Sequence, residues 1–244
     1  MAQRNVVWLK LVRQTQINYF ARLGRFCSKV QGMNTTVENV EVDFDQIQYQ
    51  KVKEFIKLNG LNMFTDFSSL RPMCYNPAAE DSYRSHHEVF LIRRPVDIVW
   101  DIYKTISPVE AWNGDMVSFG LMYGRRTNTL NYLHDSFVGM ERGQIIILNL
   151  CLFWGFLNIA VAHEVADIDE DKKQIKLCYM AGGASEGSQW ITLNKTKEGF
   201  TSVDHLTRYK SKSAIRDKYL YPALHTKAIA EFHHNVRKKA ESED

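Results

Sequence analysis

Residues 145–161, IIILNLCLFWGFLNIAV, form an uncharged run from Ile145 to Val161. A membrane-spanning helix needs about 20 mostly apolar residues to cross a hydrocarbon core roughly 30 Å thick, so length alone is borderline. Composition separates the alternatives. Three β-branched isoleucines open the run, Asn149, Gly155 and Asn158 interrupt it, and the segments beyond its ends read as strands rather than membrane flanks. Two antiparallel strands meeting near Trp154-Gly155 account for this better than one spanning helix. The expectation is a soluble chain in which this run walls an apolar cavity.

Outward from it, short strand-like runs recur. EVFLIRRP (Glu88 to Pro95) reads as a strand. Val96 to Ile106 follows as a helix with Ile98, Val99, Ile102 and Tyr103 as its buried stripe. MVSFGLMYG (Met116 to Gly124) is another strand, and further runs lie near 144–153, 157–166, 174–180, 186–194 and 200–209. Asp169-Glu170-Asp171, Gly182-Gly183 and Lys197-Glu198-Gly199 separate them as turns. A last helix is predicted over Pro222 to Lys239, with proline suited to its first turn.

With 45% apolar residues in 244, the chain can fill a sizeable core, and its net charge of +3 calls for no nucleic acid. The balance is uneven, however. Residues 1–31 carry six basic groups and no acid, and residues 5–30 alternate apolar and basic groups at helical spacing. Such a helix docks on a protein surface or rests on an anionic membrane. A weaker helix is expected over Phe44 to Leu58, then a loop, Ser68 to Asp81, with Pro72 and Pro77. The boundary is placed there: an N-terminal helical extension over 1–85 and the main domain over 86–244. Cys27, Cys74, Cys151 and Cys178 show no CxxC spacing and suggest neither a disulfide framework nor a metal cluster. With no signal peptide apparent, a reducing cytoplasmic home is expected.

Strand, helix, break, a run of antiparallel strands and a long closing helix together resemble the helix-grip fold of the START-like, polyketide cyclase-like (SRPBCC) superfamily. The likeness rests on HEVFLIRRPVDIVWDIY (His87 to Tyr103) and YPALHTKAIAEFHHNVRKK (Tyr221 to Lys239) and covers about residues 86–240. The resemblance implies an α+β architecture, with a bent antiparallel sheet wrapped around the C-terminal helix. It also implies a cavity between them for an apolar small molecule, in a carrier or a cyclase-like enzyme. It carries no catalytic signature and implies no cofactor.

Strand alternation nominates the polar groups of that cavity. His163 shares a face with Leu157, Ile159, Val161 and Val165; Tyr179 with Ile175 and Leu177; Gln189 with Ile191 and Leu193. In the last strand Val203 puts His205 and Tyr209 inward, although Leu206 argues for the opposite face. On the closing helix Tyr221, His225 and Phe232 share the apolar arc, with His233 at its margin. His163, His205, His225 and Tyr179 are the candidate acid–base groups. Gln189, Tyr209, Tyr221, Trp154, Ile159, Val161 and Phe232 are the candidate ligand contacts. Two alternatives stand beside this reading: a zinc-dependent hydrolase or lyase using His163, His205 and His225, though with no ligand motif, and a membrane- or partner-binding module working through the basic N-terminal helix. The expected partner is a hydrophobic small molecule, with peripheral membrane contact and homodimerisation as further partners the reading allows.

Overall fold

The computed structural model describes residues 41–242, the side chain of Trp154 excepted. The basic helix expected over 5–30, and any membrane role for it, lies outside them. A short helix α1 (Gln50–Leu58) comes first, followed by a two-residue strand β1 (Pro72–Met73). The strand β2 (Arg84–Ile92) leads into helix α2 (Val96–Thr105) and the single turn α3 (Pro108–Ala111). Seven strands follow: β3 (Val117–Gly124), β4 (Thr129–Asn131), β5 (Gln144–Leu152), β6 (Leu157–Asp169), β7 (Gln174–Met180), β8 (Glu186–Lys195) and β9 (Thr201–Lys210). A π-helical turn over Arg216–Leu220 runs into the long helix α4 (Tyr221–Ser242). The strands form one antiparallel sheet in the order β2-β9-β8-β7-β6-β5-β3-β4, with β1 added against β7. This is the helix-grip arrangement, with α4 and α2 packed on one face.

The uncharged run is explained by burial on both faces. Ile146, Leu148 and Leu150 of β5 point to the inner core with Trp100, Phe119 and Phe232. Ile145 and Ile147 point the other way, into a second core built from Val52, Phe55 and Ile56 of α1 together with Leu61, Phe67 and Leu70. A strand covered on both sides loses the polar half of its alternation and reads as continuous hydrophobicity. The corner at Phe153–Gly155 is a tight turn in which Gly155 takes φ +92°, a conformation that favours glycine. Asn149 then donates to Asn158 across the hairpin at 3.2 Å. Among the described residues no helix is long and apolar enough to cross a membrane.

Several expectations are corrected. Residues 41–83, which the sequence places in the N-terminal extension, lie in one compact unit with the sheet. Arg125 fastens them there, pairing with Glu164 at 2.8 Å and donating to the carbonyl oxygen of Ser68 at 2.8 Å. The helix placed over 44–58 begins only at Gln50. Ile98 is exposed, and Trp100 takes its place in the buried stripe of α2. Cys74 and Cys178 are joined as a disulfide, so the cysteine-based argument for a reducing compartment falls away.

Candidate functional site

Between the inner face of the sheet and α4, from Tyr221 to His233, lies a row of polar side chains, most of them buried and His163 and His225 partly so. Alternation puts His205, Thr207 and Tyr209 of β9 inward and leaves Leu206 outward, resolving the ambiguity in that strand. Each neighbouring strand contributes a group at the same level: His163 from β6, Tyr179 from β7 and Gln189 from β8, and α4 supplies Tyr221, His225 and His233.

The row is hydrogen-bonded end to end. Tyr103 OH lies 2.6 Å from His233 Nδ1, His233 Nε2 lies 2.8 Å from His205 Nδ1, and His205 Nε2 lies 2.8 Å from Gln189 Oε1. The amide nitrogen of Gln189 then reaches His163 Nε2 at 2.9 Å and donates to Tyr179 OH at 3.3 Å. Tyr179 closes the row through a short hydroxyl contact with Tyr221. One set of protons satisfies all of it. Gln189 Oε1 only accepts, so His205 carries its proton on Nε2 and accepts on Nδ1. His233 must then donate from Nε2 and accept the Tyr103 proton on Nδ1. His163, facing the Gln189 amide, is an acceptor at Nε2.

Burial sets the charge states. Desolvation lowers His163 to about 4 and, helped by His225, lowers His233 to about 3. It pushes His205 well below the ordinary value, with His233 adding to the effect. It also raises Tyr179 to about 12, against the lowering influence of its bond to Tyr221, and raises Tyr103 and Tyr221 well above the ordinary value. Near neutral pH the interior therefore holds neutral imidazoles and protonated phenols. Neutral groups are the only ones such a site carries cheaply, since an unpaired charge here would cost far more.

The expected site residues divide accordingly. His163, His205, His225, Tyr179, Gln189 and Tyr221 all come together. Tyr209 does not offer its hydroxyl, which donates to the carbonyl oxygen of Asp217 at 2.7 Å while the ring stacks on Tyr221. Val161 packs beside these tyrosines, and Ile159 is half-buried further along β6. Phe232 sits deeper, stacked on Trp112 in the apolar core. Trp154 is in the β5–β6 corner. Sequence reasoning missed His233 as a central member, Tyr103 as its partner, and His86. His86 alternates inward with Phe90 and Ile92 on β2, a legible signal, whereas nothing in the sequence joins Tyr103 to a histidine 130 residues away. Among the described residues no group of three or more His, Cys, Asp or Glu side chains is placed to hold a metal. His205, moreover, uses both ring nitrogens within the row. The geometry gives the zinc alternative no support.

An enclosed space of about 30 Å³ remains beside Tyr103, Trp112, Ile146, Leu177 and Phe232. A larger open cleft of about 780 Å³ runs between the end of β2, the 113–115 turn and α4, and reaches His233. α4 is pinned along that cleft at Glu231 and Asn235. Glu231 accepts from the Met116 and Val117 amides at 3.0 Å, and Asn235 donates to the carbonyl oxygens of Ala111 and Asn113 at 3.1 Å.

Comparison of this architecture with solved structures returns the same fold. Norcoclaurine synthase from Thalictrum flavum, in complex with dopamine and hydroxybenzaldehyde, superposes with a TM-score of 0.50 at 12% identity, over 70% of this chain and 94% of that one. Ginseng major latex-like protein 151 from Panax ginseng matches at 0.47 and 11% identity, over 65% of this chain and 97% of that one. KanY matches at 0.47 and 15% identity, over 66% and 99%. No family model matches the sequence, and no curated protein matches it. The helix-grip fold is shown, in keeping with the START-like resemblance, and at this identity the likeness concerns fold alone.

Proposed function

We propose that the protein binds a small, mostly apolar molecule carrying hydrogen-bonding groups between the inner face of the sheet and the first half of α4. The buried row from Tyr103 to Tyr221 carries this reading. Apolar residues of similar size would fill that interior at lower desolvation cost, so seven hydrogen-bonded polar side chains argue for use. Binding pockets are mostly apolar with a few convergent polar groups, which describes the composition here. The solved norcoclaurine synthase complex, on the same fold, holds small aromatic molecules bearing hydroxyl groups, and that is the class proposed.

Pockets of this kind measure about 300–1,000 Å³, and here the side chains of the row are hydrogen-bonded to one another across that space. A ligand enters the row where Tyr221 to His225 of α4 face the sheet, because Glu231 and Asn235 tie the following turns to Met116, Val117, Ala111 and Asn113. Neutral imidazoles and protonated phenols can also exchange protons with a bound substrate, so the same site serves a carrier or a cyclase-like enzyme.

The test is a titration with 2-naphthol, followed by amide and side-chain NMR. Saturable shifts at His163, Gln189, His205 and Tyr221, lost in Gln189→Leu, are the expected result. Shifts confined to the outer surface, or none, would overturn the proposal.

A further inference from the structure

A second, shorter hydrogen-bond relay ends at His225, which stacks on Tyr221 of this row, in an atom with no partner. Thr226 Oγ1 donates to Glu88 Oε1 at 3.0 Å. With its proton so committed it can only accept from His86 Nε2, 2.9 Å away. Burial lowers the pKa of His86, so its ring is neutral and Nδ1 bears a lone pair. His225 Nδ1 lies 3.1 Å from that lone pair and must donate to it. His225 is held neutral as well, by burial first and then by the neighbouring His205. Its Nε2 is therefore a bare acceptor.

That Nε2 is closed off from solvent and has no hydrogen-bond partner, and Thr207 Oγ1 shares the condition. Strand register sets Thr207 opposite both His86 and Gln189. The ring of His225 lies 4.9 Å from that of His86 and 5.6 Å from that of His205, and it stacks on Tyr221 at 4.9 Å. Two unmet polar atoms thus fall within one circle of side chains. Buried acceptors are seldom left unsatisfied because the lost water is not replaced.

We infer that His225 Nε2, within the binding site proposed above and resting on that reading, is a dedicated acceptor for a hydroxyl or N–H group of the ligand, with Thr207 Oγ1 as a second contact. The ligand class is narrowed accordingly, to neutral phenols, alcohols or amines. A molecule offering only ether, ester or ketone oxygens would set lone pair against lone pair. Glu88, Thr226 and His86 are positioning residues. They touch no ligand but dictate which nitrogen of His225 carries the proton.

Two measurements test this together. Nitrogen-15 NMR of the histidine rings in the ligand-free protein should show His225 protonated on Nδ1, and Thr226→Val should bring in the Nε2-protonated form while Thr226→Ser restores the original. The affinities of 2-naphthol and 2-methoxynaphthalene should differ by about tenfold in favour of the hydroxyl compound, the value of one hydrogen bond of ordinary net strength. His225→Phe, which keeps a ring against Tyr221, should bring that ratio to one, and Thr226→Val should reduce it without contact to either probe. Protonation of wild-type His225 on Nε2, or a ratio that His225→Phe leaves intact, overturns the inference. Equal binding of both probes by the wild type overturns it while leaving the binding site standing; binding of neither removes the site and the inference with it.

Discussion

Lowering the pH from 7.5 to 5.5 should destabilise this protein steeply, because four histidines are folded in their neutral form. His163 and His233 are lowered to about 4 and about 3, and burial holds His205 and His225 well below the ordinary 6.5. In the unfolded chain each titrates near 6.5. The folded value lies below the unfolded one, so as pH falls the unfolded state takes up protons first. The stability these rings carry is complete above about pH 6.5 and is lost on the way down to the folded values. At pH 5.5 each histidine contributes a loss of roughly 1–2 kcal/mol, so the four together contribute roughly 5 kcal/mol. A domain is stable by only about 5–15 kcal/mol. Carboxylates ordinarily titrate near 4 and stay ionised in this window, so the loss reports on the histidines. Urea denaturation at constant ionic strength, followed by tryptophan fluorescence and far-ultraviolet circular dichroism at pH 7.5, 6.5 and 5.5, measures it directly. A change of less than about 1 kcal/mol across the range would refute the picture of neutral, desolvated rings.

Three further outcomes are expected. Gln189→Leu strands the His205 Nε2 proton and removes the donor to His163 and Tyr179, so it should cost about 2–4 kcal/mol in chemical denaturation; a neutral result would mean the row is not formed. Reducing the Cys74–Cys178 disulfide, which links residues 104 apart in sequence, should lower unfolding free energy by about 2–4 kcal/mol, checked by melting with and without reductant. A chain beginning at residue 86 uncovers Ile145, Ile147 and Leu121 and should lose the near-ultraviolet dichroism of a packed core, whereas a sharp, dispersed NMR spectrum would show that the outer layer is dispensable.

Much of this fold was legible because strand alternation and helical spacing are local. The direction of His163, Tyr179, Gln189 and His225 followed from period-two and 3.6-residue arithmetic on Ile175, Leu193 and Ile229. The same arithmetic was silent on β5, where Ile145 to Leu148 carry no polar partner to mark a face. It was also silent on His233, whose place at the margin of the apolar arc gave no sign that Tyr103 and His205 would meet it from two other elements. Cys74 and Cys178 likewise carried no motif, since their approach depends on β1 pairing with β7.

The sheet-and-closing-helix architecture, the two strands within IIILNLCLFWGFLNIAV and the inward set of polar residues are all written in spacings of a few residues, and so were legible in the chain before it folds. That this run serves two cores, that a hydrogen-bonded row lines the interior, and that one nitrogen of His225 is left without a partner emerge only from the folded chain. These depend on contacts such as His86 with His225, 139 residues apart. The proton on each ring is set by the whole chain of neighbours around it, and no local pattern encodes that chain.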